Sequence, residues 1–127
     1  MMVAGIGCRK DAPIEAIEAA LIMTLKECGL ERDGLDALAT AAEKSREPGL
    51  VKLAESLRLP LMAVTEAEMQ AVADKALSVS SRVMALKGVP SVAETAALAA
   101  AGKDARLLAP RLSTKGATCA IASGGSA

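Results

Sequence analysis

The sequence predicts a three-layer α/β/α sandwich with a mostly parallel, mixed sheet and a C-terminal hairpin. Short apolar runs typical of buried strands alternate with longer segments whose apolar residues recur at helical spacing. The last two strand-like runs, 105–109 and 117–122, are joined without a helix, so we expect them to pair antiparallel. A chain of 127 residues suits one domain, predicted over 1–122, followed by a small, glycine-rich frayed tail at 123–127.

The opening residues predict the first strand and the first helix. An apolar run begins at Val3 and is expected to break into a turn at Gly5 and Gly7, since glycine tolerates turn conformations. An amphipathic helix is expected from Pro13, because proline suits a first helical turn, and it is expected to stop at Gly29. The next elements are predicted as a strand at 35–40, a helix from Pro48 and a strand at 59–64.

Two capping boxes predict helix starts in the second half of the chain. Thr65 and Glu68 fit the T-x-x-E pattern ahead of a helical apolar stripe. Ser91 and Glu94 form a second capping box before an alanine-rich helix, and on this interpretation the box uses the Glu94 carboxylate. A short helix is also expected at 82–86.

The composition excludes several classes of function. The chain has no Phe, Tyr, Trp or His, so it lacks aromatic base-stacking platforms, imidazole metal ligands and Ser-His or Cys-His pairs. Its 15 basic residues balance 15 acidic ones, so no global field draws it to nucleic acid or to an anionic membrane. We expect no metal site and no cofactor. Without a leader-like start or a long apolar run, the protein is expected to be soluble and cytoplasmic.

The three cysteines, Cys8, Cys28 and Cys119, have no C-x-x-C spacing, which argues against a disulfide framework or a structural zinc site. Cys28 and Cys119 are expected to be buried as small apolar residues. Cys8 neighbours Arg9 and Lys10, which are expected to lower the pKa of its thiol, but no His is available to activate it as a nucleophile.

Three basic loops are expected to meet at one edge of the sheet. Ligands of open α/β sheets bind outside the carboxyl ends of the strands, where the loops after the first two strands and the hairpin turn are expected. We call their six cationic residues the basic rim: Arg9, Lys10, Lys44, Arg46, Arg111 and Lys115. Because Arg binds carboxylates or phosphates in a fork and Lys binds them as a point charge, this rim suits a polyanionic ligand. The alternative is that these charges are only solvated and bind no ligand, since surface loops ordinarily carry charged residues.

Few residues qualify for acid–base chemistry. Glu47 is the candidate catalytic carboxylate, although it also precedes a helix start and would complement the helix dipole there. The candidate ligand-binding residues are Gly5, Gly7, Cys8, Arg9, Thr40, Lys44, Lys115 and Thr118.

Several short motifs stand in order along nearly the whole chain. They include Gly5-Ile6-Gly7-Cys8-Arg9, Glu47-Pro48-Gly49-Leu50, Ser91-Val92-Ala93-Glu94 and Thr118-Cys119-Ala120-Ile121-Ala122. In these motifs the chain resembles the CobE family, which is similar to the C-terminal domain of CbiG, a protein of cobalamin (vitamin B12) biosynthesis. The resemblance implies an α/β sandwich that handles a corrin-ring precursor.

The resemblance implies an activity for the full-length relative: CbiG is a hydrolase, which opens the lactone of cobalt-precorrin-5A and releases the excised ring carbon as acetaldehyde. At 127 residues the chain is expected to lack the N-terminal region of CbiG, so hydrolase activity is expected to carry over less directly than the fold does. Any turnover is expected to be hydrolysis or rearrangement by Glu47 with bound water.

The residues and the resemblance favour the same ligand. A precorrin-type tetrapyrrole is fringed with acetate and propionate carboxylates, which Arg9, Lys44 and Lys115 would bind, assisted by backbone amides of residues 5–8 and of Thr40. Two alternatives stay open. One is a non-catalytic module that docks on another corrin-pathway enzyme, and the other is a small phosphate or nucleotide binder that uses the glycine loop.

Overall fold

The computed structural model describes residues 1–125, apart from the side chains of Arg82 and Lys87, and it confirms the predicted α/β/α sandwich. The strands are β1 (Met2–Cys8), β2 (Ala37–Ala41), β3 (Leu61–Val64), β4 (Arg106–Leu107), β5 (Leu112–Thr114) and β6 (Ala117–Ser123). The helices are α1 (Ile14–Glu27), α2 (Pro48–Leu57), α3 (Glu66–Ala71), α4 (Ser81–Lys87) and α5 (Val92–Ala101). Short 3-10 turns occupy Arg32–Gly34, Ala42–Lys44 and Ala73–Lys75.

These strands form one mixed sheet in the order β3, β2, β1, β6, with β4 and β5 both on the far side of β6. β1, β2 and β3 run parallel, and β6 runs antiparallel to β1. Because β4 and β5 are antiparallel to β6, they run in the same direction as β1. The predicted hairpin is confirmed, and β5 is an additional strand within the segment that was predicted to be its connecting loop.

Helices cover both faces of the sheet, and alternate residues of each strand face opposite layers. Ile6, Leu38 and Ile121 pack in the layer that contains α1 and α2. Val3 and Ala39 pack in the layer that contains α5 and part of α3. Within residues 1–125, none of the helices is long and apolar enough to cross a bilayer.

Gly5 and Gly7 lie inside β1, so the prediction that they end the first strand is wrong. Gly5 instead makes room for α5. A Cβ atom at position 5 would collide with the carbonyl oxygen of Ala93 and would lie 2.7 Å from the backbone nitrogen of Ala97. Gly7 has ordinary clearance, since the nearest atom to an added Cβ would be a Val92 carbon at 3.8 Å. The first glycine is therefore required by helix packing rather than by a turn.

The turn between β1 and α1 is made by another residue. Asp11 has a φ of +59°, in the left-handed region that Asp adopts more readily than most residues. Pro13 is the N-cap of α1, at the predicted start of the helix. At the other end, Gly29 has a φ of +66°, and the N–H of Leu30 donates to the carbonyl of Leu25 at 2.9 Å. The predicted limits of α1 are confirmed.

The two predicted capping boxes differ. At α3 both bonds form: the N–H of Glu68 donates to Thr65 Oγ1 at 3.1 Å, and the N–H of Thr65 donates to Glu68 Oε1 at 2.9 Å. At α5 the N–H of Glu94 donates to Ser91 Oγ at 3.3 Å. The Glu94 carboxylate, however, accepts hydrogen bonds from other segments, so the prediction that the capping box uses it is wrong.

The predicted frayed tail is partly hydrogen-bonded. Ser123 is the last residue of β6, and the N–H of Gly124 donates to the carbonyl of Met1 at 3.0 Å. The start of the tail therefore belongs to the sheet and its border. The last two residues of the predicted tail lie outside the described residues.

Gly5→Ala is expected to destabilise the fold by about 2–3 kcal/mol, because the added methyl group must push α5 away from β1. The loss should appear as a lower midpoint in urea denaturation with an unchanged slope. Gly7→Ala is the matched control on the same strand, and it is expected to change stability by less than about 0.5 kcal/mol. Equal losses in the two variants would contradict the packing role of Gly5.

Candidate functional site

The three loops predicted to carry the basic rim meet at the carboxyl end of β1. The N–H of Arg9 donates to the carbonyl of Gly116, in the β5–β6 turn, at 3.1 Å. The N–H of Asp11 donates to Oε1 of Glu47, just ahead of α2, at 2.7 Å. The three loops therefore converge as expected, except that Arg111 lies at the start of β5, at the opposite end of that strand from the β5–β6 turn. We call this region the mouth; it comprises the loops at 9–13, 42–47 and 115–116 and the first turn of α5.

α2 approaches the loop after β1 closely because its second residue is glycine. A Cβ atom at Gly49 would lie 2.6 Å from the carbonyl oxygen of Ala12 and 3.0 Å from Cδ1 of Ile17. Pro48 begins the helix, where its missing N–H costs nothing. The Glu47-Pro48-Gly49 sequence therefore bonds the neighbouring loop, starts α2 and lets the two segments touch.

The cations of the basic rim differ in exposure. Arg9, Lys10, Arg46 and Lys115 are exposed, whereas Lys44 and Arg111 are partly buried. Lys44 lies close enough to Cys8 to lower the pKa of its thiol. Arg111 stands at the start of β5, beside the first turn of α5.

The first turn of α5 lies beside Gly7. A Cβ atom at that position would be 3.8 Å from a Val92 carbon and 3.9 Å from the backbone nitrogen of Ala93. The first N–H groups of a helix lack partners within the helix, and its dipole is positive at this end, so both attract anions. α1 and α2 also begin at this edge of the sheet, after β1 and β2. Three helices therefore begin at the mouth, where the carboxylates of Glu47 and Glu94 oppose the positive potential of two of their N-termini.

Besides Cys8, four predicted ligand-binding residues lie on strands, two at the mouth and two away from it. Gly7 and Thr118 are paired neighbours at the mouth, and both are partly exposed. Gly5 lies beneath α5, and Thr40 is fully buried, with its hydroxyl donating to the carbonyl of Ile6 at 2.7 Å. Gly5 therefore allows α5 to pack closely on β1, and Thr40 satisfies a backbone carbonyl near the end of β1. Because both glycines are strand residues, the glycine loop on which the nucleotide alternative depends does not form.

The Cys8 thiol is not activated by its surroundings. Burial raises its pKa above the usual value, nearby Glu47 raises the pKa further, and Lys44 lowers it. The prediction that Arg9 and Lys10 lower this pKa is wrong, because both side chains are exposed and water screens their charges. Cys8 is therefore a thiol at neutral pH and a poor nucleophile.

The other two cysteines belong to the core. Cys119 is fully buried, as predicted, and burial raises the pKa of its thiol to about 12. Cys28, which was also predicted to be buried, is only partly buried, because it follows the end of α1 and packs at the border of the apolar cluster beneath α1 and α2. Burial also raises the pKa of the Cys28 thiol.

Glu47 bridges two loops rather than capping its own helix. It is the N-cap residue of α2, but its side chain makes no capping hydrogen bond. One carboxylate oxygen instead accepts the N–H of Asp11, and the carboxylate is close enough to Cys8 to influence the pKa of that thiol. Glu47 is partly exposed at the mouth, which keeps it available as a candidate base.

Sequence reasoning missed the role of Glu94, which is fully buried in the first turn of α5. Its Oε1 accepts the N–H groups of Leu77 and Ser78 at 3.0 and 2.8 Å. Its Oε2 accepts the Ser78 hydroxyl and the N–H of Arg111, both at 2.9 Å. Four donors offset the cost of burying this carboxylate. The only signal in the sequence is an acidic residue within an otherwise small and apolar helix.

Known proteins match the chain over most of its length. A family model described as cobalamin synthesis G C-terminus matches residues 2–122. The chain belongs to this cobalamin synthesis family. Its relatives include protein CobE of a Sinorhizobium species, which is 30% identical over 121 residues, covering 95% of this chain and 79% of that protein. The sequence-based resemblance to CobE and the CbiG C-terminal domain is confirmed.

A solved structure and a second relative agree with this family membership. The crystal structure of CobE, described as a protein from the cobalamin (vitamin B12) biosynthetic pathway, matches with a TM-score of 0.90 at 39% identity. The match covers 96% of this chain and 89% of CobE. A cobalt-precorrin-5A hydrolase of Salmonella typhimurium is 38% identical over 64 residues, which are 50% of this chain and 18% of that enzyme. The chain is a cobalamin biosynthesis protein of the CobE/CbiG family.

Two replacements in this family member are expected to shift the pKa of Cys8 in opposite directions. Glu47→Gln removes a charge that raises the pKa, so Cys8 should react with iodoacetamide at lower pH. Lys44→Ala removes a charge that lowers the pKa, so the reaction should move to higher pH. Both shifts should be small, because water screens charges in a partly solvated site. The measurement is the pH profile of Cys8 alkylation, followed by mass spectrometry of its peptide.

Lys103→Ala is the control for these profiles. Lys103 is exposed and follows the end of α5, at the opposite edge of the sheet. Its loss should leave the alkylation profile of Cys8 unchanged. Displacements of the same sign in Glu47→Gln and Lys44→Ala would refute the charge arrangement described for Cys8.

Proposed function

We propose that this protein binds a precorrin-type tetrapyrrole at the mouth, through the carboxylate groups of the ligand. The observation that carries the proposal is the meeting of three cation-bearing loops, which two hydrogen bonds from the loop after β1 hold together. These contacts bring Arg9, Lys44 and Lys115 around the end of β1. Membership of a cobalamin biosynthesis family supports a ligand from that pathway.

The chemistry of the mouth suits such a ligand. A precorrin carries acetate and propionate carboxylates around a largely apolar ring, and exposed Arg and Lys side chains bind carboxylates well. The chain has no aromatic residues, so the ring would contact aliphatic side chains and backbone. It also has no His, which favours a metal-free intermediate or one whose metal needs no imidazole ligand.

Three single replacements should weaken binding of a metal-free precorrin. Arg9→Ala, Lys44→Ala and Lys115→Ala are each expected to raise Kd by about three- to tenfold, since each removes a solvent-accessible cation–carboxylate contact. Binding can be followed by the visible absorption of the macrocycle. Lys103→Ala removes an exposed cation far from the mouth and should leave Kd unchanged. Added salt should weaken binding to the wild-type protein by screening these charges.

A second ligand makes this test more specific. A corrin whose acetate and propionate groups have been converted to amides keeps the apolar ring but loses the negative charges. It should bind the wild-type protein more weakly and should respond little to the three replacements. Equal binding of the acid and the amide would overturn the proposal. So would the absence of both a spectral change and co-elution with the acid in gel filtration.

Glu47 is the proposed catalytic carboxylate, and its role is separable from binding. The Salmonella typhimurium relative is named as a cobalt-precorrin-5A hydrolase, which supports testing lactone hydrolysis in this protein. In Glu47→Gln the amide oxygen can still accept the N–H of Asp11, so the loop contact is kept while the general base is lost. Lactone opening should fall by about 100-fold or more, with Kd nearly unchanged. Unchanged turnover in this variant would exclude Glu47 as the base.

A second candidate function is docking on another enzyme of the cobalamin pathway without chemistry. The observation that favours it is a stretch of exposed aliphatic side chains: Leu77, Val79, Met84 and Leu86. If docking is the function, Leu86→Ser should impair corrin production in cells while Arg9→Ala with Lys44→Ala leaves it intact. The binding function predicts the reverse pattern.

A further inference from the structure

One buried side chain joins two segments beside the mouth. Oε1 of Glu94 holds the backbone of Leu77 and Ser78, which precede α4. Oε2 holds the N–H of Arg111, the basic-rim residue that precedes β5. Both segments are therefore fixed against the first turn of α5 by a single carboxylate.

Donors surround both carboxylate oxygens of Glu94, so both oxygens must act as acceptors. Backbone N–H groups approach each of the two oxygens, and an N–H group can only donate. A carboxylate accepts on both sides, whereas the amide of Gln would present an NH₂ group to one set of donors. The charge of Glu94 therefore suits its hydrogen-bond partners, although a buried carboxylate is otherwise a costly way to join two loops.

We infer that Glu94 is a positioning residue, which fixes the backbone of Arg111 so that this cation binds a ligand carboxylate beside the mouth. This inference rests on the proposed function. Glu94 is fully buried and acts through Arg111, whereas Arg111 is partly exposed and able to meet a ligand. The bond to the Arg111 backbone holds residue 111 beside the first turn of α5 and so fixes the point from which its side chain extends.

Glu94→Gln tests the inference because it should disturb the hydrogen bonds at Oε2 more than those at Oε1. With its oxygen at the Oε1 position, Gln still accepts from Leu77 and Ser78. Its NH₂ group then takes the Oε2 position, where it can donate to the Ser78 hydroxyl but cannot accept from Arg111. The opposite orientation would lose both N–H bonds at Oε1, so the first orientation is favoured. The variant therefore releases the Arg111 backbone selectively.

Ser78→Ala is the matched control. It removes the hydroxyl bond to Oε2 but keeps the N–H bond of residue 78 and the acceptor for Arg111. Amide hydrogen exchange should be faster at residue 111 in Glu94→Gln and unchanged there in Ser78→Ala. In the wild-type protein, the carboxylate-bearing metal-free precorrin should slow exchange at the same amide.

Affinity for the ligand is expected to depend on whether the Arg111 N–H is bonded to Glu94. Glu94→Gln should raise Kd for the metal-free precorrin by about three- to tenfold, as should Arg111→Ala, while Ser78→Ala leaves Kd unchanged. In the Arg111→Ala background, Glu94→Gln should have no further effect on Kd, because the cation that it positions is gone. Its effect on thermal stability should persist in that background, since the hydrogen bond is made by the backbone.

The outcomes separate this inference from the proposed function. Wild-type Kd in Glu94→Gln, or additive losses of affinity in the double variant, would overturn the positioning role while ligand binding at the mouth stands. If the wild-type protein fails to bind the precorrin, the proposed function and this inference both fail. Slower exchange at residue 111 on ligand binding, with non-additive losses of affinity, supports the inference.

Discussion

The close contact between Gly5 and α5 is the constraint on which the rest of the structure depends. The chain has no aromatic residue, so aliphatic side chains and many alanines fill its core. Small side chains make useful dispersion contacts only when the elements approach closely, because this attraction falls steeply with distance. The missing Cβ at position 5 permits that approach, with Ala93 and Ala97 of α5 directly over β1. α5 is consequently buried along most of its length.

The position of α5 also sets the position of the mouth. Because the helix begins beside Gly7, the packing contact brings both a helix N-terminus and Glu94 to the carboxyl edge of the sheet. The loops around this edge are held by bonds to backbone groups, as between Asp11 and Glu47. Most cations of the basic rim remain exposed. The rim charges can therefore change without removing the bonds that shape the mouth.

Signals that act within one helical turn were predictable from the sequence. Pro13 and Gly29 mark the ends of α1 because each restricts or frees its own backbone. The convergence of the loops was also predictable, since parallel strands end at one edge of a sheet. The roles of Gly5 and Glu94 were not predictable, because they depend on which distant segments come together. The partners of Glu94 at Leu77 and Arg111 are each 17 residues away. β5 escaped prediction because three residues form a strand there only by pairing with β6.

Charge near Cys8 shows why sequence neighbours are a poor guide to a site. Arg9 and Lys10 follow Cys8 directly but are exposed, whereas the more distant Glu47 influences the pKa of the thiol. An anionic Glu47 would make the electrostatic potential negative in one part of the mouth, while the rim cations keep it positive elsewhere. A ligand carboxylate would be favoured beside exposed cations such as Lys115 and disfavoured beside Glu47, since like charges repel. The part of the ligand next to Glu47 would then be uncharged, as a lactone is. On the proposed function, the carboxylate that joins two loops would therefore also orient the ligand, with its charged fringe outward and a neutral ester inward.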